Sequence, residues 1–435
     1  MIKKNIDIIT LGCSKNTVDS EHLAALINPD QYHVNFDTGK PADVVIINTC
    51  GFIGDAKEQS VDTILQYADL RKRKKIERLI VMGCLSERYG TELKREIHEV
   101  DAFFGANDLQ SVALHLGSDP SAVNTIYQYK RNLSTPKHYA YLKISEGCDR
   151  TCSFCAIPLM RGKHVSVPID QLVAEASALA QNGVKELILI AQDLTYYGID
   201  RNGKRQIVQL IESLGNIPGI EWIRLQYAYP YQFPLDLLTL VDQHPKVCRY
   251  IDMPLQHISD RILRSMRRFV TKGQTLRLIE TIREKVPGLA FRTTLIAGYP
   301  GETEEEFEEL CHFVESQRFE RLGVFAYSHE EGTRAHLLED TVPEEVKQER
   351  VNTVMELQQE ISLEKNTKMI GSTIKVLIDR IEAGHYVGRS EFDSPEVDNE
   401  VLIPQQDVLL VPGNFYDVYI ERADYFDLYA SLMRV

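Results

Sequence analysis

Six of the eight cysteines in this 435-residue chain stand where metal chemistry could be done. Three of them, Cys148, Cys152 and Cys155, lie in the stretch EGCDRTCSFCAIPLMR (residues 146–161) in a C-x3-C-x2-C pattern. Thiolates this close on one loop can hold a metal centre, and cysteine is the usual ligand of iron–sulfur clusters. A cubane cluster has four irons, so three cysteines leave one iron open to a ligand from outside the protein. An open position is what separates a reactive centre from a structural one. The competing reading is a zinc knuckle completed by His164.

The other three, Cys13, Cys50 and Cys84, are far apart in sequence but share a context. Each follows a short apolar run: residues 6–11 (IDIITL), 44–48 (VVIIN) and 79–82 (LIVM). Amphipathic stretches separate these runs, a pattern that predicts a parallel sheet with helices on its faces. The carboxyl ends of such strands share one edge, where ligands bind, so the fold would gather the three thiols into a second cluster site. Packing as three small buried hydrophobes is the plain alternative.

The elements that must position these residues can be counted. Residues 1–125 form the first α/β domain, of flavodoxin or Rossmann type. The polar stretch QYKRNLSTPKH marks a linker, set at residues 126–138. From residue 139 to 369 the rhythm resumes, with strands starting near residues 141, 187, 222, 250, 291 and 322. Six βα units make an open, partial (β/α)6 barrel, since a closed one needs eight. The reactive loops of such barrels follow the strand ends, which puts the Cys148 loop on the catalytic face. Gln192, Asp193, Tyr227, Gln256, His257, Gly298 and Tyr327 become candidates by the same geometry. Phe154 would present an aromatic edge beside the open iron. Arg292 could pair with a carboxylate. The two glycines of GYPGE (298–302) let backbone approach a ligand, whereas Thr303 and Glu306 fit a helix capping box. Arg264, Arg267 and Arg268 are candidates to contact ligand or substrate, with a solvated helix face as the default, and Cys248 and Cys311 are expected in the core.

Residues 343–369 read as a long charged helix, a strut. Residues 370–435 change to short strands between Gly, Pro and Asp turns, a small antiparallel β-barrel of OB-like type. From residue 371 on there are twelve acids against five bases, a net of -7 within a chain total of -14. A small barrel that binds nucleic acid needs a positive groove, so this one should repel RNA and attract a basic protein. No apolar run reaches membrane-spanning length, and MIKKNIDIIT lacks a signal-type segment. Cysteines without a signal predict a reducing compartment, the cytoplasm.

The Cys148-x3-Cys152-x2-Cys155 loop resembles the radical S-adenosylmethionine (SAM) signature. With Cys13, Cys50 and Cys84 ahead of it and the β module behind, the whole chain is similar to the methylthiotransferases. YLKISEGCDRTCSFCAIPLMRG and ERADYFDLYA are more similar to the branch that modifies ribosomal protein uS12 than to the branch that modifies tRNA. The resemblance implies two 4Fe–4S clusters, one on each cysteine triad, and a C-terminal TRAM domain. It implies SAM as cofactor, with Phe154, Gln192, Gln256, Arg292 and Gly298 as the candidates to contact it. It also implies an external electron donor, of flavodoxin type, and transfer of a methylthio group to the β-carbon of a uS12 aspartate. Two rivals stand beside this: a tRNA methylthiotransferase, and a non-catalytic scaffold held by structural zinc.

Overall fold

A computed structural model of the chain describes residues 3–120, 131–405 and 409–432. The first apolar runs become a parallel sheet of β1 (Lys4–Thr10), β2 (Tyr32–Phe36), β3 (Val44–Thr49), β4 (Arg78–Gly83) and β5 (Ala102–Phe103), in spatial order β2-β1-β3-β4-β5. That is the flavodoxin-type order. Successive side chains point to opposite faces, and helices cover both. Ile6, Ile8, Ile46 and Met82 pack with one group of buried residues, Val45, Ile47, Leu79 and Val81 with another.

The second sheet starts with β6 (Tyr139–Lys143), followed by the small hairpin β7 (Ser145–Glu146) and β8 (Val165–Ser166) that frames the cysteine loop. It continues with β9 (Glu186–Ile190), β10 (Trp222–Leu225), β11 (Val247–Asp252), β12 (Ala290–Ala297) and β13 (Arg321–Ala326). The six long strands are parallel, run in sequence order and do not close, as six βα units require. Of the expected linker at 126–138, residues 126–130 lie outside the described residues. Its remainder is a docked strap rather than a loose tether. The side chain of Arg131 is buried and donates to Glu21 of the first domain and to Glu175 Oε1 (2.9 Å), while Ser134 N donates to Glu21 Oε1 (2.7 Å).

The C-terminal strands β14 (Thr373–Glu382), β15 (His385–Ser390), β16 (Glu400–Pro404), β17 (Phe415–Ala423) and β18 (Asp427–Leu432) close into a barrel, β14-β15-β16-β18-β17. It is antiparallel except for one pair, β16 with β18. An odd number of strands cannot alternate direction all the way round, so one parallel pair is unavoidable. The helix Glu344–Thr367 is more than a strut: Val354 and Ile361 on one face belong to the central core, and Lys347 and Arg350 are buried in ion pairs.

This barrel docks on the central sheet through charge as well as apolar surface. Trp222, Cys248, Tyr250 and Ala290 meet Leu377 and Phe415. Beside them Glu186 accepts from Arg224 Nε (2.7 Å) and from Arg389 Nη2 (2.8 Å) of the barrel, all three side chains at most 2% exposed. Burial by itself would push the Glu186 carboxyl up, but the two guanidinium groups hold it below its ordinary range. Glu186→Ala would leave two buried guanidinium groups facing each other, an expected loss of about 3–5 kcal/mol. A lower urea midpoint, and earlier proteolytic release of the C-terminal barrel, are the measurements that check it.

Candidate functional site

Cys13, Cys50 and Cys84 lie just past the C-terminal ends of β1, β3 and β4, as their sequence context predicts. Cys13 is the residue before the helix Ser14–Leu26, and Cys84 opens the helix Cys84–Glu96. Asn16 ties the loops together, its Nδ2 donating to Leu11 O (2.7 Å) and Thr49 O (3.1 Å). The approach is close. Gly12 adopts φ +94°, and a Cβ there would stand 2.7 Å from Cys50 Cβ and 2.8 Å from its Sγ. Burial pushes the Cys50 thiol up to about 11 and raises that of Cys84, so a metal taken up here must displace protons.

The second loop is held as firmly. Cys148 N donates to Gly162 O (3.1 Å), and Ser153 N to Met266 O (3.0 Å). Donors converge on the sulfurs: Arg150 N on Cys148 (3.4 Å) and Arg268 Nη1 on Cys152 (3.5 Å), with Tyr229 OH 3.4 Å from Cys152 Sγ. Burial pushes the Cys148 thiol up to about 12 and raises that of Cys155 too. Hydrogen bonds to sulfur are one of the levers by which a protein sets a cluster's potential. Among the described residues no three His, Cys, Asp or Glu side chains are gathered tightly enough for a single ion. Each thiolate of a cubane binds a different iron, so its cysteines need not be gathered round one ion. His164, the fourth ligand of the zinc-knuckle rival, is turned to Ser166 (Nε2–Oγ 3.0 Å).

Charge locks the two loops together. Arg161 ends the short helix that follows Cys155. Its Nε donates to Cys84 Sγ (3.3 Å) and its Nη1 to Asp19 Oδ2 (2.6 Å) of the first domain, and to Glu146 (3.2 Å). Lys143 donates to Glu146 (2.6 Å) and Asp19. Burial would raise the Glu146 carboxyl, but Lys143 and Arg161 bring it down to about 2. A second clasp comes from the loop after β13, where Glu330 takes Lys57 and Arg88, both at 2.9 Å.

The remaining candidates divide. Gln192 lies at the Cys148 loop, its Nε2 donating to Glu146 (2.7 Å) while its buried Oε1 has no partner. Phe154 packs against the buried cluster that includes Ile262, Met266 and Tyr299. Gln256, at φ 75°, bridges to Leu295 through its backbone. Arg292, near the start of β12, pairs with Asp252 at the end of β11 (3.0 Å) and with Asp398 of the C-terminal barrel (3.2 Å). The left-handed Gly298 is required by Lys347, whose Cγ would lie 2.3 Å from an added Cβ, so its freedom serves packing. Arg268, expected in solvent, is buried under Cys152. Sequence reasoning overlooked Arg150 and Arg161. Both lie inside the cysteine stretch, and an arginine among metal-ligand cysteines was the available signal.

Three family models match in succession: "Uncharacterized protein family UPF0004" over residues 5–105, "Radical SAM superfamily" over 142–314 and "TRAM domain" over 370–433. In overall fold the chain is similar to the radical SAM methyltransferase TsrM from Kitasatospora setae, solved with cobalamin and a [4Fe-4S] cluster, with a TM-score of 0.53, 13% identity and coverage of 89% of this chain and 81% of that one. Fold and site together define a radical SAM enzyme carrying a TRAM barrel. Two curated relatives are each named ribosomal protein uS12 methylthiotransferase RimO. That of Cytophaga hutchinsonii is 52% identical, covering 99% of this chain and 98% of the relative, and that of Flavobacterium johnsoniae 54% identical over the same shares. The chain belongs to this RimO family of radical SAM methylthiotransferases, whose cofactors are 4Fe–4S clusters and SAM. Since Gly12 has no room for a methyl group, Gly12→Ala is expected to displace Cys50 and cut the iron of anaerobically reconstituted protein to that of a single cube. Iron and sulfide analysis decides this.

Proposed function

We propose that the chain transfers a methylthio group to the β-carbon of an aspartate in ribosomal protein uS12. Cys148, Cys152 and Cys155 would hold the cluster that works with SAM, and Cys13, Cys50 and Cys84 the second cluster. The observation that carries this is 52–54% identity with uS12 methylthiotransferases over 99% of this chain and 98% of theirs, in a chain where Arg161, beside one cysteine triad, reaches Cys84 of the other. In domain terms, residues 1–125 carry the second cluster, 139–369 the radical chemistry and 370–435 the TRAM barrel.

When bound, these groups supply one-electron cleavage of SAM at the first site and the sulfur to be transferred at the second. An unactivated C–H bond has no acidic proton for a side chain to remove, so radical chemistry is needed. The chain's own part is to bind, orient and exclude water. Arg268 and Tyr229 hold the Cys152 sulfur, Arg161 the Cys84 sulfur. Gln192 Oε1 and Arg150 Nη2, both buried with no partner, leave an acceptor and a donor for a bound ligand. The electron comes from an external donor of flavodoxin type. The cytoplasm is the compartment this chemistry suits. None of the described helices is long and apolar enough to cross a membrane.

Cys152→Ala is expected to abolish formation of 5′-deoxyadenosine. Cys50→Ala should spare it but yield no methylthio addition on uS12 by mass spectrometry. Full product formation by the Cys50 variant would remove the second cluster from the mechanism. Salt-dependent binding of tRNA in preference to uS12 would return the tRNA rival.

A further inference from the structure

Lys15 is the second residue of the helix Ser14–Leu26, and only 8% of it is exposed. Its Nζ lies 3.2 Å from the centroid of the Tyr227 ring, across the seam between the first domain and the central sheet. Buried lysines are almost always paired with an anion. No carboxylate among the described residues takes this one. Asp19, one turn along the same helix, is occupied by Arg161 and Lys143. Glu21 is occupied by Arg131, and Asp252, behind Tyr227, by Arg292.

The ring is placed deliberately. Tyr227 follows β10 in a left-handed conformation (φ 67°), its N–H donating to Asp252 Oδ2 (3.1 Å) and its carbonyl accepting from Leu194 N (3.0 Å). It therefore stands on the strand-end edge that also bears the Cys148 loop, while Lys15 is two residues from Cys13. A cation lacking an anion thus sits between the two cysteine loops, over an aromatic face that can hold it in place.

We propose that Lys15 seats a carboxylate, and that it is the carboxylate of the aspartate to be modified. This rests on the methylthiotransferase reading. The β-carbon is bonded directly to the carboxylate carbon, so an anchored carboxylate presents the reacting carbon to the seam. Its negative charge also distinguishes aspartate from asparagine. SAM carries a carboxylate as well and is the other possible source.

The test uses full-length reconstituted enzyme, with iron content as the check on assembly. The probes are a uS12 peptide bearing the target aspartate, the same peptide with asparagine there, and SAM. Lys15→Met should weaken the aspartate peptide by about 10- to 100-fold. It should leave the asparagine peptide and SAM unchanged, and Lys15→Arg should recover most of the loss. Equal loss for both peptides, no loss for either, or loss of SAM binding alone would each overturn the assignment. Failure of the wild-type enzyme to modify the aspartate peptide would overturn the functional reading itself and this inference with it.

Discussion

Two cysteine loops carried by two separate sheets can serve one reaction only if the sheets are held in register. The knot of buried charge around Asp19, Arg161, Lys143 and Glu146 does this. Asp19 and Arg161 are 2% and 4% exposed, so neither can fall back on water if the seam slips. A buried ion pair adds little net stability over well-packed apolar groups, but leaving one member unpaired costs about 3–5 kcal/mol. The knot therefore penalises every misaligned docking, which an apolar seam would tolerate. Because Arg161 also reaches Cys84 Sγ, the element that follows one triad directly touches a member of the other.

The same device holds the far end of the central sheet. Asp379, Asp393 and Asp398 of the C-terminal barrel face inward, onto Arg389, Arg321 and Arg292. A count of charge along the chain treats them as surface, and so overstates the field that a partner would meet. Glu382, Glu396, Asp417 and Glu421 are exposed, so the outer surface keeps acidic character, though with fewer groups than the net of -7 implies. Similarity to the uS12 enzymes over the full chain separates the two branches more sharply than charge does.

The limits of the strand-end rule are visible residue by residue. It brought Cys13, Cys50 and Cys84 together because all three follow parallel strands of one sheet, whose carboxyl ends share an edge. It placed Gln192 beside the Cys148 loop for the same reason. Gly298 also stands at a strand end, with Lys347 packed against it, while Arg292, named for pairing with a carboxylate and not by that rule, lies near the start of β12 and pairs with Asp252 and Asp398. Two-residue strands such as β5, β7 and β8 show no periodicity to detect.

Composition and local pattern were enough for the three-domain α/β architecture, the open six-stranded sheet and both cysteine triads. Each depends on hydrophobic periodicity or on spacing, which a chain carries along its length. The pairing of Arg161 with Cys84, the burial of Arg268 under Cys152 and the seat of Lys15 against Tyr227 were decided by the tertiary structure alone. Each joins residues far apart in the chain, and which face a long cation turns to is set by whatever docks against it.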